Sequence, residues 1–116
     1  MSETIEPRAL RRRFLTHFVA GLRVVWPIVF GLVTVIVGLG CAIALIERWT
    51  LFEGVYFAFV SCLTIGYGDL APKTALARVL TITIGFAGIL LTATIAAVSV
   101  QALTATQQSL PQRGSR

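Results

Sequence analysis

Residues 50–69 read TLFEGVYFAFVSCLTIGYGD, and two features of this stretch decide the fold. Thr50 and Glu53 have the S/T-x-x-E spacing of a capping box, in which each residue satisfies a backbone N–H at a helix start. From Leu51 to about Leu63 the residues are strongly apolar, with no helix breaker after Gly54. A short helix over 51–63 is therefore expected, and it falls below the roughly 20 residues needed to cross a bilayer. Directly after it, Gly66 and Gly68 stand at alternate positions in Thr64-Ile65-Gly66-Tyr67-Gly68-Asp69. In an extended strand successive carbonyls face opposite ways. Aiming them all at one axis requires alternating right- and left-handed backbone, and glycine enters the left-handed region without the cost of a Cβ.

On either side lie two uncharged apolar runs, Val24 to Ile46 and Val79 to Leu103, each long enough to span a membrane. The whole chain is 56% hydrophobic and 13% charged, too little charge, and too segregated, to cover a soluble globule. The short central helix is then expected to enter the membrane and stop partway. Lipid cannot satisfy the bare backbone that follows it, so that backbone must be buried in protein or line a water-filled path. Several copies around an axis would meet this demand. Their carbonyls, joined by the Thr64 hydroxyls, would replace the water shell of a passing monovalent cation, with the negative end of the short helix's dipole facing it.

The net charge of +5 does not point to nucleic acid. Arg8, Arg11, Arg12, Arg13 and Arg23 crowd before the first span, where a basic cluster fits anionic lipid and sets orientation. Arg48, Lys73 and Arg78 between the spans are balanced by Glu47, Glu53 and Asp69. The positive-inside rule then puts both termini in the cytoplasm and the central loop outside, in a multi-pass protein of the cell membrane. Leu10, Phe14, Phe18 and Leu22 recur every fourth residue, the pattern of an amphipathic helix in the cytoplasmic interface, with Gly21 as a joint before the span. His17 within it reads as a solvated residue or a pH sensor. Arg11-Arg12-Arg13-Phe14-Leu15 has the look of a twin-arginine export signal, but the apolar run after it is too long for one. Cys41 and Cys62 have no partner at metal-ligand spacing and read as buried thiols.

At Thr64 to Asp69, followed by Leu70 and Pro72, the chain resembles the pore module of potassium channels. Its order of span, short helix, glycine motif and span is similar to the two-span bacterial members, over Val24 to about Thr104. The resemblance implies an all-α membrane protein, a homotetramer with two transmembrane helices, a re-entrant pore helix and a selectivity-filter loop. Thr64, Ile65, Gly66, Tyr67 and Gly68 match the filter, with K⁺ held at Thr64, Ile65, Gly66 and Tyr67, and Asp69 matches the acidic residue of the outer mouth. Gly88 falls where the family places a hinge of the inner helix, helix packing being the other reading. Ile89, Thr92, Ala96, Val100 and Thr104 recur at three- and four-residue intervals and would line the inner pore, or else form a lipid-facing stripe. The chain departs from the best-known bacterial pattern at Val60, where a Glu is held against the outer-mouth Asp. Tyr56 stands where the family often has a Trp that bonds the Asp, and its phenol could take that role.

The expected division is an interfacial helix at 1–23, a pore domain at 24–104 and a short cytoplasmic tail at 105–116. Within the pore domain the outer helix runs 24–46, the pore helix 51–63, the filter 64–69 and the inner helix 75–104. The expected activity is passive conduction of K⁺, with no cofactor besides the transported ion and no catalytic constellation among the scattered carboxylates. A voltage-sensing arginine series and room for a ligand-binding domain are both missing from the sequence. A non-selective cation channel would share the layout but usually breaks the Gly-Tyr-Gly run. A potassium-transporter subunit would carry several such repeats in one chain.

Overall fold

The computed structural model describes residues 6–110, and among them are three helices: α1, Pro7–Glu47; α2, Leu51–Cys62; and α3, Ala75–Gln108. The first five residues and 111–116, half of the expected tail, lie outside the described residues. α1 and α3 are the two helices long and apolar enough to cross a membrane. The chain divides into two units. One holds residues 27–93, and the other holds the segments up to Trp26 and from Thr94 onward.

In the first unit α2 starts where the sequence requires. Thr50 is extended (φ −66°, ψ 154°), its Oγ1 accepts from the Glu53 N–H at 3.2 Å, and Glu53 Oε2 accepts from the Thr50 N–H at 2.8 Å. The helix then beds against α1 and α3 through small residues. A Cβ on Gly40 would lie 2.7 Å from both the Ala58 Cβ and the Gly54 carbonyl oxygen, and one on Gly54 would lie 2.6 Å from the Ala44 Cβ. On the other side a Cβ on Gly88 would strike the backbone of Cys62. Lipid is as apolar as leucine, so helices within it associate by such close contact more than by expulsion of water. Ile36, Ile43, Phe57, Ala58, Cys62, Ala77, Ile84, Ala87 and Leu91 form the buried cluster around this bed, and Trp49 meets Phe57 edge-on with ring centroids 5.4 Å apart. A Cβ on Gly31 or Gly38 would meet nothing within 4 Å.

The second unit pairs the start of α1 with the end of α3. Gly21, expected as a joint, lies inside a continuous helix, as does Pro27. Its small size serves contact instead: a Cβ there would be 3.0 Å from Val98 Cγ1. Leu10, Phe14, Phe18 and Leu22, expected to lie in the membrane interface, are half-buried. Phe14 and Phe18 stack at 6.0 Å. A cavity of about 420 Å³ is lined by Leu10, Arg11 and Phe14 from α1 and by Leu103, Thr106, Gln107 and Leu110 from the chain's other end. α3 also runs past the expected end at 104, to Gln108.

Candidate functional site

α2 ends in a turn that its own last carbonyls create. The Thr64 N–H bonds the Ser61 oxygen at 3.1 Å and the Ile65 N–H bonds the Val60 oxygen at 2.9 Å, the paired bonds of a Schellman motif. That motif requires a left-handed residue after the cap, normally glycine. Here it is Thr64, at φ 57°, a conformation disfavoured by roughly 1–2 kcal/mol for a residue with a Cβ. Gly66 and Gly68 follow at φ 62° and 75°. Among the described non-glycine residues only Arg48 and Thr64 have positive φ, so residues 64 to 68 alternate in sign at every step. Such alternation turns successive carbonyls the same way. Residues 63 to 69 are all exposed in the single chain. The stretch is shaped by backbone conformation and held by the end of α2, with little side-chain packing of its own.

Asp69 is tied back to α2. The Tyr56 hydroxyl donates to Asp69 Oδ2 at 3.1 Å. Desolvation, and then the Asp69 hydrogen bond and charge, hold the Tyr56 phenol above its ordinary range, so it stays a donor. Val60 is buried at 8% exposure. A cavity of about 270 Å³ lies behind the stretch, with Tyr56, Val60, Ser61, Gly66, Gly68 and Asp69 among its walls. Tyr56, Val60 and Asp69 are thus brought together. Gly88 sits against Cys62 at the base of the stretch, a close approach that by itself accounts for a glycine there.

The face expected to line a pore is left open by the chain. In the first unit Ile89 and Thr92 are exposed, and in the second so are Ala96, Val100 and Thr104. Thr92 Oγ1 donates to the Gly88 carbonyl at 3.0 Å, and such back-bonding often bends a helix. Two features escaped sequence reasoning. The left-handed Thr64 carries no signal, because threonine favours extended backbone. The pairing of Glu47 with Thr74 joins residues 27 apart, although Thr74 before an apolar run was legible as a helix cap.

A family described as ion channel matches residues 28–105, more than half of the chain and all of the stretch above. The chain belongs to this ion-channel family. With its two long apolar helices, the chain is a multi-pass membrane protein, and its family points to transport rather than catalysis. A relative named "Probable potassium channel protein 2", from Methanocaldococcus jannaschii, is 40% identical over 50 residues, 43% of this chain. The match spans 15% of that relative's length. No solved structure matches the chain.

Proposed function

We propose that the ion channel is potassium-selective and conducts K⁺ passively through a ring of four filter strands, one from each copy of the chain. The alternation of φ at Thr64, Gly66 and Gly68 carries this reading, because it is the backbone state that aims consecutive carbonyls at one axis. One chain supplies one strand, and an enclosed ion needs a closed ring. Thr64, Ile65, Gly66 and Tyr67 would hold dehydrated K⁺, the transported ion and not a resident cofactor, with α2 as the re-entrant pore helix. The exposure of residues 63–69 supports assembly, since bare backbone at membrane depth needs neighbours or a water-filled path.

Asp69, held by Tyr56, forms the outer mouth beside Val60. The exposed Ile89, Thr92, Ala96, Val100 and Thr104 supply the inner pore wall. Gly88 combines close packing with the freedom to flex where Thr92 already draws on its carbonyl. Both termini are cytoplasmic, with Arg8, Arg11, Arg12 and Arg13 at the anionic face of the cell membrane. The test is flux from liposomes containing the purified chain together with its mass in detergent. The reading expects a tetramer that passes K⁺ and excludes Na⁺, and a conducting monomer or dimer, or equal passage of both ions, would contradict it.

A further inference from the structure

The filter stretch leaves the pore helix at one end and joins α3 at the other through only Asp69 to Thr74. This short exit loop is fixed to all three helices. Asp69 is held by Tyr56 of α2, and the Pro72 carbonyl accepts from Arg78 Nε of α3 at 3.1 Å. The third anchor is Glu47, the last residue of α1. Its Oε1 accepts from the Thr74 N–H at 2.9 Å and from the Thr74 hydroxyl at 2.6 Å. The same hydroxyl accepts from the Ala77 N–H at 3.3 Å, and the Thr74 carbonyl accepts from the Arg78 N–H at 3.1 Å. Thr74 is therefore the N-cap of α3 and is itself clamped by a carboxylate, through charge-assisted bonds that are shorter and stronger than neutral ones.

We infer that Glu47 is a positioning residue for conduction: by fixing Thr74 it keeps the exit loop taut, and so holds the outer carbonyls, those of Gly66 and Tyr67, at the spacing that binds K⁺. This rests on reading residues 64–68 as the filter. A loop pinned at Asp69 but loose at Thr74 gains slack at its α3 end. The outer half of the ring then needs bound K⁺ to keep its shape. Because both Thr74 donors meet one oxygen of Glu47, the role requires an acceptor at that place, and charge only strengthens it.

The experiment uses the full chain in liposomes with Glu47→Ala, Glu47→Gln, Thr74→Val, Thr74→Ser and the pair Glu47→Ala with Thr74→Val. The readouts are the external K⁺ concentration that sustains half-maximal conduction, and amide exchange over residues 70–77. Glu47→Ala and Thr74→Val are each expected to raise the K⁺ requirement and the exchange rate about tenfold, while the pair falls well short of the product of the two, because both changes remove the same hydroxyl–carboxylate bond. Thr74→Ser keeps the hydroxyl and stays within about twofold of the parent, and Glu47→Gln keeps the acceptor oxygen and falls between. A helix latch with no bearing on the filter would change exchange but leave the K⁺ requirement at its parental value, and that result overturns the inference, as do additive effects of the two single changes. A parent chain that does not distinguish K⁺ from Na⁺ would sink the filter reading instead. Exchange would then still decide whether Glu47 holds the loop: a parental rate in Glu47→Ala refutes it. If Glu47→Ala fails to assemble, Thr74→Val carries the same test from the other partner.

Discussion

α2 and the stretch that follows it are neighbours in sequence and opposites in construction. Phe57, Ala58, Val60 and Cys62 are buried, and glycines at 40, 54 and 88 let backbone meet backbone on two sides of the helix. Past Cys62 the chain turns as the N–H groups of Thr64, Ile65 and Gly66 donate to α2's last carbonyls, and every residue from 63 to 69 is exposed. Within one chain, then, the helix is a finished object and the stretch is not. The difference teaches where specificity resides: packing holds the helix end in place, and that end imposes a backbone pattern on a segment left exposed, which the proposed ring of copies would complete.

The sharpest way to break the contrast is to change the free segment where only conformation matters. A Cβ on Gly66 meets nothing within 4 Å in its own chain, so within the chain Gly66→Ala acts through its left-handed backbone, at about 1–2 kcal/mol per copy and four times that in the proposed ring of four. Loss of K⁺-selective flux is expected with the chain still helical by circular dichroism. Unchanged selectivity would reject the filter assignment.

The packed side should fail differently. Gly88→Val drives a side chain into the Cys62 backbone, and overpacking of this kind costs typically 1–3 kcal/mol. A lowered melting temperature of the assembled protein is expected, and a parental melting temperature with altered opening would assign Gly88 to the hinge instead.

Thr64 belongs to both sides, as a helix terminus and as a residue of the proposed filter. Thr64→Gly should relieve roughly 1 kcal/mol of left-handed strain while removing the hydroxyl. A protein that is more stable to heat but discriminates less between K⁺ and Na⁺ would show that the strain is kept for function. Parental discrimination would show that the hydroxyl is not needed.

The smallest effect is expected at the seam between the two sides. Tyr56→Phe removes the donor to Asp69 and should speed the decay of current during sustained opening by about threefold, within the worth of one hydrogen bond. Val60→Glu, placing a second carboxyl group behind the stretch, should deepen that decay. Parental decay in both variants would mean that Asp69 is not coupled to α2 through this contact.

Much of this was legible in the sequence because it rests on local rules. Thr50 and Glu53 marked the start of α2, the apolar runs marked the long helices, and Gly66 and Gly68 marked two left-handed positions. Thr64 was not legible, since its conformation is imposed by the Schellman turn against the preference of a β-branched residue. The stripe of Leu10, Phe14, Phe18 and Leu22 was visible, but periodicity shows only that a face is apolar, not whether lipid or protein covers it. The end of α3 lines the same cavity as Leu10 and Phe14. Glu47 and Thr74 meet only because α1 ends where α3 begins, a fact of tertiary structure that neither residue announces.

The central claim is that the stretch from Thr64 to Gly68 selects potassium, and the reversal potential of the reconstituted protein between solutions of unequal K⁺ and Na⁺ tests it most directly. The account predicts a reversal potential close to the K⁺ equilibrium value, following K⁺ as its gradient is changed. A reversal potential near zero with K⁺ on one side and Na⁺ on the other would contradict it.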